Sequence, residues 1–326
     1  MSSLTGRTIA VTGASGFIGG RVVERLVLGT DAHVRPVVRG FGRVARLSVL
    51  PQERMAFRGA DLLDVESLRA AFEGCDTVVH CGFGSAGDEA ARWAATVDGT
   101  ANVLAAAKAA GVRRVVHLST IDVYDTTSAP EVTEATAYRA EDASDREYEQ
   151  QKLAAEKAVI AAHGDGIETV VLQPGVVYGP WGGQWTGAQL DRPAGDFAVL
   201  PGRDGGVCNA VYVDDVVDAV LLAAASERAA GERFLIGNEE EVDWGRFFDA
   251  FRDMRRLDGQ PGGAGGEVPD WELELYRCPA RARFDKARDL LGFRAAVDFA
   301  EGIALTARWA QWAGRVPATE QQVGAH

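Results

Sequence analysis

The sequence predicts an α/β protein, a doubly wound parallel sheet followed by a smaller C-terminal substrate-binding subdomain, and three observations carry that prediction. Through the first half of the 326 residues, short β-branched runs alternate with Ala/Leu/Arg-rich stretches, the pattern of a parallel sheet wrapped by helices. A glycine-rich turn joins the first such run to the first helical stretch. After Pro174 the alternation breaks into a Gly/Trp/Pro-rich segment, too long and irregular for a simple connection.

The elements follow in order. Strands are expected at 8–12, 34–39, 55–59, 77–81, 114–119 and 168–173, and helices with apolar residues near the 3.6 period at 17–28, 65–73, 88–110 and 144–163. Residues 211–226 read as one further strand and helix, followed by a strand at 233–236 and helices at 244–254 and 299–312. Residues 259–266 read as a mobile glycine loop. The expected dinucleotide-binding domain therefore spans 1–177, with 207–237 returning to it, and the substrate-binding subdomain comprises 178–206 and 238–326.

Bulk properties narrow the function. At 47% apolar residues the chain can bury a sizeable core without outside staples. Cys75, Cys81, Cys208 and Cys278 lack metal-ligand or redox-pair spacing, so no metal is expected. A net charge of −13 opposes the phosphate backbone of nucleic acids. The N-terminus has no signal-peptide pattern, and no run approaches the ~20 apolar residues of a membrane span. A cytoplasmic protein is expected, binding neither nucleic acid nor membrane.

Gly13-Ala14-Ser15-Gly16-Phe17-Ile18-Gly19 forms a G-x-x-G-x-x-G loop that opens the first helix. Small residues there let the backbone approach a pyrophosphate, whose charge the free N–H groups and the helix N-terminus stabilise. The position between first strand and first helix makes this a dinucleotide signal. Arg39 ends the second expected strand, with Arg43 one turn on, where NAD-selective proteins of this fold carry an acid on the ribose. An arginine there pairs instead with a 2′-phosphate, worth roughly 1.5–3 kcal/mol. NADP(H) is therefore expected ahead of NAD(H). Asp61 and Leu62, just past the third strand, are placed to cap the adenine.

Tyr148 and Lys152 form the one Y-x-x-x-K segment in the chain, and a spacing of four puts both side chains on one helix face. A phenol of pKa near ~10 needs a shift of about three units to act near neutrality. A cation ~4 Å away supplies about that much at an effective dielectric near 20. Thr120 emerges at the carboxyl edge of the fifth strand, where ligands of open α/β sheets bind, and its hydroxyl can hold a substrate oxygen against the phenol.

With these residues in view, the chain resembles the extended short-chain dehydrogenase/reductases over residues 7–312. The matching stretches are 12–19, 76–82, 99–111, 119–124, 148–152, 176–180 and 213–215. The resemblance implies a Rossmann sheet, a Thr120, Tyr148 and Lys152 triad, and a nicotinamide lying near Ser119 and the loop of Pro174, Val176 and Val177. It also implies a homodimer through the helices at 88–110 and 144–163.

Departures from the family narrow the substrate. Dehydratases of this kind carry an acid pair directly after the catalytic Thr, whereas here Ile121 precedes Asp122, which disfavours water elimination. Sugar-nucleotide enzymes of the family carry an Asn and an Arg where this chain has Val176 and Cys208. A buried diphosphate needs such donors, although Arg203, Arg281 or Arg283 could substitute. Gln173 to Gly179 and Asn209 to Tyr212 look more like members that reduce ketones or aldehydes. The leading expectation is an NADP(H)-dependent reductase of a small-molecule carbonyl. The alternatives are a sugar-nucleotide epimerase or 4-ketoreductase, and a nucleotide-sensing protein without turnover. Trp181 and Trp185 are read either as an apolar substrate wall or as core anchors of their loop.

Overall fold

A computed structural model describes residues 4–126, 130–140, 146–198, 200, 205–256 and 268–317. The glycine loop expected at 259–266, the substitute Arg203 and the start of the helix expected from 144 lie outside the described residues.

In chain order the strands are β1 (Thr8–Thr12), β2 (His33–Val38), β3 (Arg58–Gly59), β4 (Thr77–His80), β5 (Arg114–Leu118), β6 (Glu131–Val132), β7 (Glu168–Pro174), β8 (Val176–Tyr178), β9 (Ala210–Tyr212), β10 (Arg233–Ile236) and β11 (Arg281–Ala282). The helices are α1 (Phe17–Gly29), α2 (Ala45–Ser48), α3 (Val65–Phe72), α4 (Glu89–Trp93), α5 (Gly99–Ala109), α6 (Glu147–Ala161), α7 (Ala188–Asp191), α8 (Val213–Ala225), α9 (Trp244–Met254), α10 (Asp270–Arg277) and α11 (Phe299–Trp312).

Seven strands form one parallel sheet in the order β3-β2-β1-β4-β5-β7-β10. The order reverses beside β1, so the crevice at the carboxyl ends of β1 and β4 is the switch point where ligands of such sheets bind. β4 and β5 are buried along their whole length, as expected of strands covered by helices on both faces. One face packs on α1 and α8 through Val22, Leu26, Val216 and Val220, and the other on α3 and α5 through Leu68, Phe72, Val103 and Ala107.

The second lobe has its own aromatic core. Trp244, Phe247, Phe248, Phe251 and Tyr276 are buried together, with Trp244 and Tyr276 rings 4.7 Å apart. Two short parallel pairs, β8 with β9 and β11 with β6, return the chain between the lobes. Asn209 adopts φ 48, and its side chain bridges the Ala280 carbonyl and the Ala282 N–H.

Two expectations need correction. The strand expected at 55–59 pairs only at Arg58–Gly59, with Met55 an isolated bridge to Val34. The helix expected at 88–110 is two helices joined by a π-turn at Ala94–Asp98. Inside that turn, the Thr96 hydroxyl accepts from Gly84 N–H and donates to Gln151 Oε1, side-chain bonds that a propensity scan does not register. The strands β6, β8 and β11 and helix α10 were missed because each is short or polar.

Candidate active site

The glycine loop lies at the switch point. Gly13 has φ 66, and a Cβ there would sit 2.8 Å from the Cys81 carbonyl, while one on Gly19 would lie 2.3 Å from the Gly13 oxygen. Only glycine fits this close crossing of β1 and β4. Asp64, Asp88, Asp243 and Asp298 cap the starts of α3, α4, α9 and α11 with their own side chains. Helix α1, in contrast, starts at Gly16 without a side-chain cap and without an acid in its first turn. Its N-terminus is thus open to an anion. Ser15 and Gly16 are exposed, and the Phe17 and Ile18 side chains anchor the loop in the second lobe beside Val177. This cradle fits a dinucleotide pyrophosphate.

The other expected contacts take up varied positions. Arg39 lies one residue past β2, and it and Arg43 are exposed and make no ion pair with any described residue. Arg46, which the sequence reading passed over, is committed elsewhere: its guanidinium grips Glu24 at 2.5 and 2.8 Å and lies over the Trp181 ring. Asp61 is exposed and accepts from the Leu63 N–H at 2.9 Å. Leu62 reaches the loop region, its Cδ1 3.0 Å from where a Cβ on Gly82 would stand. Pro174 closes β7, and Val176 and Val177 form β8.

Tyr148 and Lys152 stand one turn apart on α6, and Thr120 follows β5 at the carboxyl edge of the sheet. Tyr148 is 43% exposed, and its phenol lies near Thr120 and Asp122. Burial and the Asp122 carboxylate push the phenol's pKa up, and the Thr120 hydroxyl opposes them. Lys152 is buried, its ammonium donates to the Leu118 carbonyl, and burial lowers it to about 8 against the pull of Glu156 and Cys81. The Lys152 ammonium is turned to the strand end through its bond to the Leu118 carbonyl, while Asp122 raises the phenol.

A buried polar network lies behind the lysine. Glu156 is fully buried and accepts from Ser119, from Tyr138 at 2.8 Å and from Gln173 at 2.8 Å, while Tyr124 donates to Gln173 at 3.0 Å. The Ser119 hydroxyl expected near a nicotinamide thus belongs to this network. Three donors let the Glu156 carboxylate sit in the core. Below Lys152, His80 is held between Thr12 at 2.7 Å and Thr100 at 3.0 Å, with the His117 ring 5.2 Å away.

Phe83, missed in the sequence, stands 6.1 Å edge-on to the Tyr148 ring and is 47% exposed, forming an apolar wall. Its only signal is its place just beyond β4. The two loop tryptophans divide. Trp185 is a core anchor, 5.1 Å from the Trp244 ring, whereas Trp181, with φ 70, packs on Trp309 and Trp312. A cavity of about 440 Å³ lined by Tyr138, Ile160, Arg233 and Lys286 contains none of Thr120, Tyr148 or Lys152, and chemistry rather than volume marks the site. Among the described residues no helix is long and apolar enough to cross a membrane.

An open glycine cradle at the switch point and a tyrosine, lysine and threonine at the same sheet edge define a dinucleotide-dependent α/β enzyme class. A model of the NAD dependent epimerase/dehydratase family matches residues 9–237, and the chain belongs to that family, in the extended short-chain dehydrogenase/reductase group. It is 30% identical over 250 residues to the 2-alkyl-3-oxoalkanoate reductase of Shewanella oneidensis, 71% of this chain and 62% of that one. The chain thus spans less than two thirds of that relative. It is 35% identical to cinnamoyl-CoA reductase 1 of Oryza sativa subsp. japonica over 70% of this chain and 71% of the other. The fold matches the epimerase Mth375 of Methanothermobacter thermautotrophicus at TM-score 0.80 and 21% identity, covering 96% and 95% of the two chains. It also matches the Bacillus cereus UDP-glucuronic acid 4-epimerase in complex with UDP-glucuronic acid and NAD at TM-score 0.76 and 20% identity, covering 94% and 99%. The family is one of oxidoreductases and epimerases that use a nicotinamide dinucleotide.

Proposed function

We propose that this chain is an NADP(H)-dependent reductase of a ketone or aldehyde on a small, non-nucleotide substrate, with Tyr148 as the proton donor. The observation that carries the reading is the placement of Thr120 just past β5 and of Tyr148 and Lys152 one turn apart on α6, beside the uncapped start of α1. The bound dinucleotide supplies the hydride. Gly13 to Gly19 would hold its pyrophosphate, and Arg39 with Arg43 its 2′-phosphate. Thr120 orients the carbonyl oxygen, Tyr148 protonates it, and Phe83 keeps water from one side. Lys152 keeps a positive charge on the floor of the site, opposite the developing oxyanion.

Two features weigh against a nucleotide-diphosphate substrate. Cys208 and Val176 are buried at the positions where family members that use sugar nucleotides place donors. Arg281 and Arg283 are already paired, to Glu241 and to Glu131 and Asp285. The proposal extends to a homodimer through α4 to α6, because Trp93 and Ile160 expose apolar surface on those helices; light scattering tests it.

The test is to denature purified protein, quantify released dinucleotides, and assay NADPH oxidation with ethyl 2-methylacetoacetate, cinnamaldehyde and cyclohexanone. Turnover that Tyr148→Phe abolishes supports the reading. Stoichiometric bound NAD(H) with conversion of a UDP-sugar would overturn it.

A further inference from the structure

We propose that Glu156 is a positioning residue for the reaction: its buried carboxylate keeps the Lys152 ammonium charged and seated at the carboxyl end of β5, a role that rests on the reading of Lys152 as the positive charge of the site. The two side chains stand four residues apart on α6, which puts them on one helix face. They grip successive residues of one strand end. The Lys152 ammonium donates to the Leu118 carbonyl, and the Ser119 hydroxyl donates to Glu156 Oε2. Thr120 comes next in the chain, so the same clip sets Thr120 against the helix that carries Tyr148.

The donors around Glu156 are fixed in direction by the groups behind them. Arg233 donates to the Tyr138 oxygen, so the Tyr138 hydroxyl turns its own proton to Glu156 Oε1, at 2.8 Å. Tyr124 donates to Gln173 Oε1 at 3.0 Å, so the Gln173 amide nitrogen faces Glu156 Oε1, also at 2.8 Å. The Tyr124 and Tyr138 rings stack 5.5 Å apart and hold the pair in register. With Ser119 on the other oxygen, each of these partners donates, which suits the acceptor-only ionised form of a carboxyl group.

Charge explains why such a group stands behind Lys152. Lys152 is 5% exposed and Glu156 is fully buried, and an ammonium taken out of water gives up its proton readily unless an opposite charge is close. The other titratable groups that face Lys152 supply no such charge. His80 on β4 and His117 on β5 are uncharged at neutral pH, and burial keeps the Cys81 thiol protonated. Glu156 touches neither a substrate nor a dinucleotide site, and it acts through the lysine.

Glu156→Gln separates a charge role from a packing role, because the amide keeps the length of the side chain and removes its charge. With 13C-labelled lysine, the Lys152 Cε signal is one of four and is assigned by its loss in Lys152→Met. In the unaltered chain it should titrate at about 8, since burial lowers the ammonium and Glu156 opposes that fall. Glu156→Gln should move the midpoint down by about one to three pH units, and Glu156→Asp should restore most of it. Tyr138→Phe, which removes one donor and leaves the carboxylate, should lower Tm with the midpoint in place. Turnover reports the same shift: with NADPH and ethyl 2-methylacetoacetate, the alkaline limb of kcat moves down with the Lys152 midpoint while KM stays within about twofold. A midpoint unmoved by Glu156→Gln overturns the proposal and leaves Glu156 as packing. Should Glu156→Gln fail to fold, the unaltered chain decides: its Glu156 carboxyl carbon, assigned through the backbone, shifts as Lys152 titrates, and a flat signal overturns the proposal. Full turnover retained by Lys152→Met overturns the underlying reading whatever Glu156 does to the midpoint.

Discussion

Arg92 grips Glu147 through two charge-assisted hydrogen bonds of 2.8 and 2.6 Å, so helix α4 holds the first residue of α6, one position before Tyr148. The pair joins segments 55 residues apart, and the π-turn between α4 and α5 adds a second tie through Thr96 and Gln151. Long-range bonds of this kind set where the tyrosine stands, because α6 starts at Arg146 without a side-chain cap of its own.

Arg92→Ala is therefore expected to affect catalysis more than stability. Both partners keep about a third of their side chains in solvent, and screened pairs contribute little to folding. The expected outcome is a several-fold lower kcat with Tm nearly unchanged. A large loss of Tm with kcat preserved would show the pair to be a structural brace instead.

Gly19→Ala tests the glycine loop. A methyl at Gly19 must displace the Gly13 carbonyl, only 2.3 Å away, and that oxygen already accepts from the Gly16 N–H at 2.9 Å. The variant is expected to lose at least about 2 kcal/mol of stability by overpacking and to bind dinucleotide weakly. Denaturant melts and fluorescence titration with NADPH measure the two effects separately, and unchanged affinity would remove the loop from the cofactor site.

The buried histidines predict an acid limit. Burial lowers His80 to about 3 and holds His117 well below its usual value, with Lys152 repelling both protonated rings. In each case the unfolded ring, with a pKa near ~6.5, binds a proton that the folded ring refuses. Their contribution is complete above that pH and is lost as pH falls from about 6.5 toward 3, at about 1.4 kcal/mol per pH unit for each ring. Urea melts from pH 7 to 5 should show this decline, and both ring signals should stay neutral by NMR over that range. A ring that titrates near 6.5 in the folded chain would refute the limit.

The sheet was legible because its signals are local and repeated. Short β-branched strands such as Thr77–His80, a glycine loop placed by the first strand, and the i, i+4 pair Tyr148 and Lys152 all show in short windows. What was not legible depends on distant partners. The burial of Glu156 was not foreseeable, since its three donors, Ser119, Tyr138 and Gln173, are spread along the chain. Spacing on one helix placed Lys152 beside Tyr148 but could not reveal its bond to the Leu118 carbonyl on a neighbouring strand. Trp185 could not be sorted from Trp181 until the fold brought Trp244 against it.

Cofactor choice is the property that one substitution probes most directly. Arg39 follows β2, the strand beside β1, exposed and without an ion-pair partner among the described residues, while Arg46 one helix further on is tied to Glu24. A cation already held in a bidentate pair must give up that pair to bind phosphate, so Arg39 and its neighbour Arg43 are the arginines free to respond. Arg39→Asp replaces a donor by a repelling carboxylate, and loss of a charge-assisted contact of roughly 1.5–3 kcal/mol weakens binding by about one to two decades. NADPH affinity should fall by that factor while NADH affinity changes little or improves, because only NADPH carries the extra phosphate. Equal losses for both would place Arg39 away from the ribose, and no loss for either would leave it as a solvated surface residue.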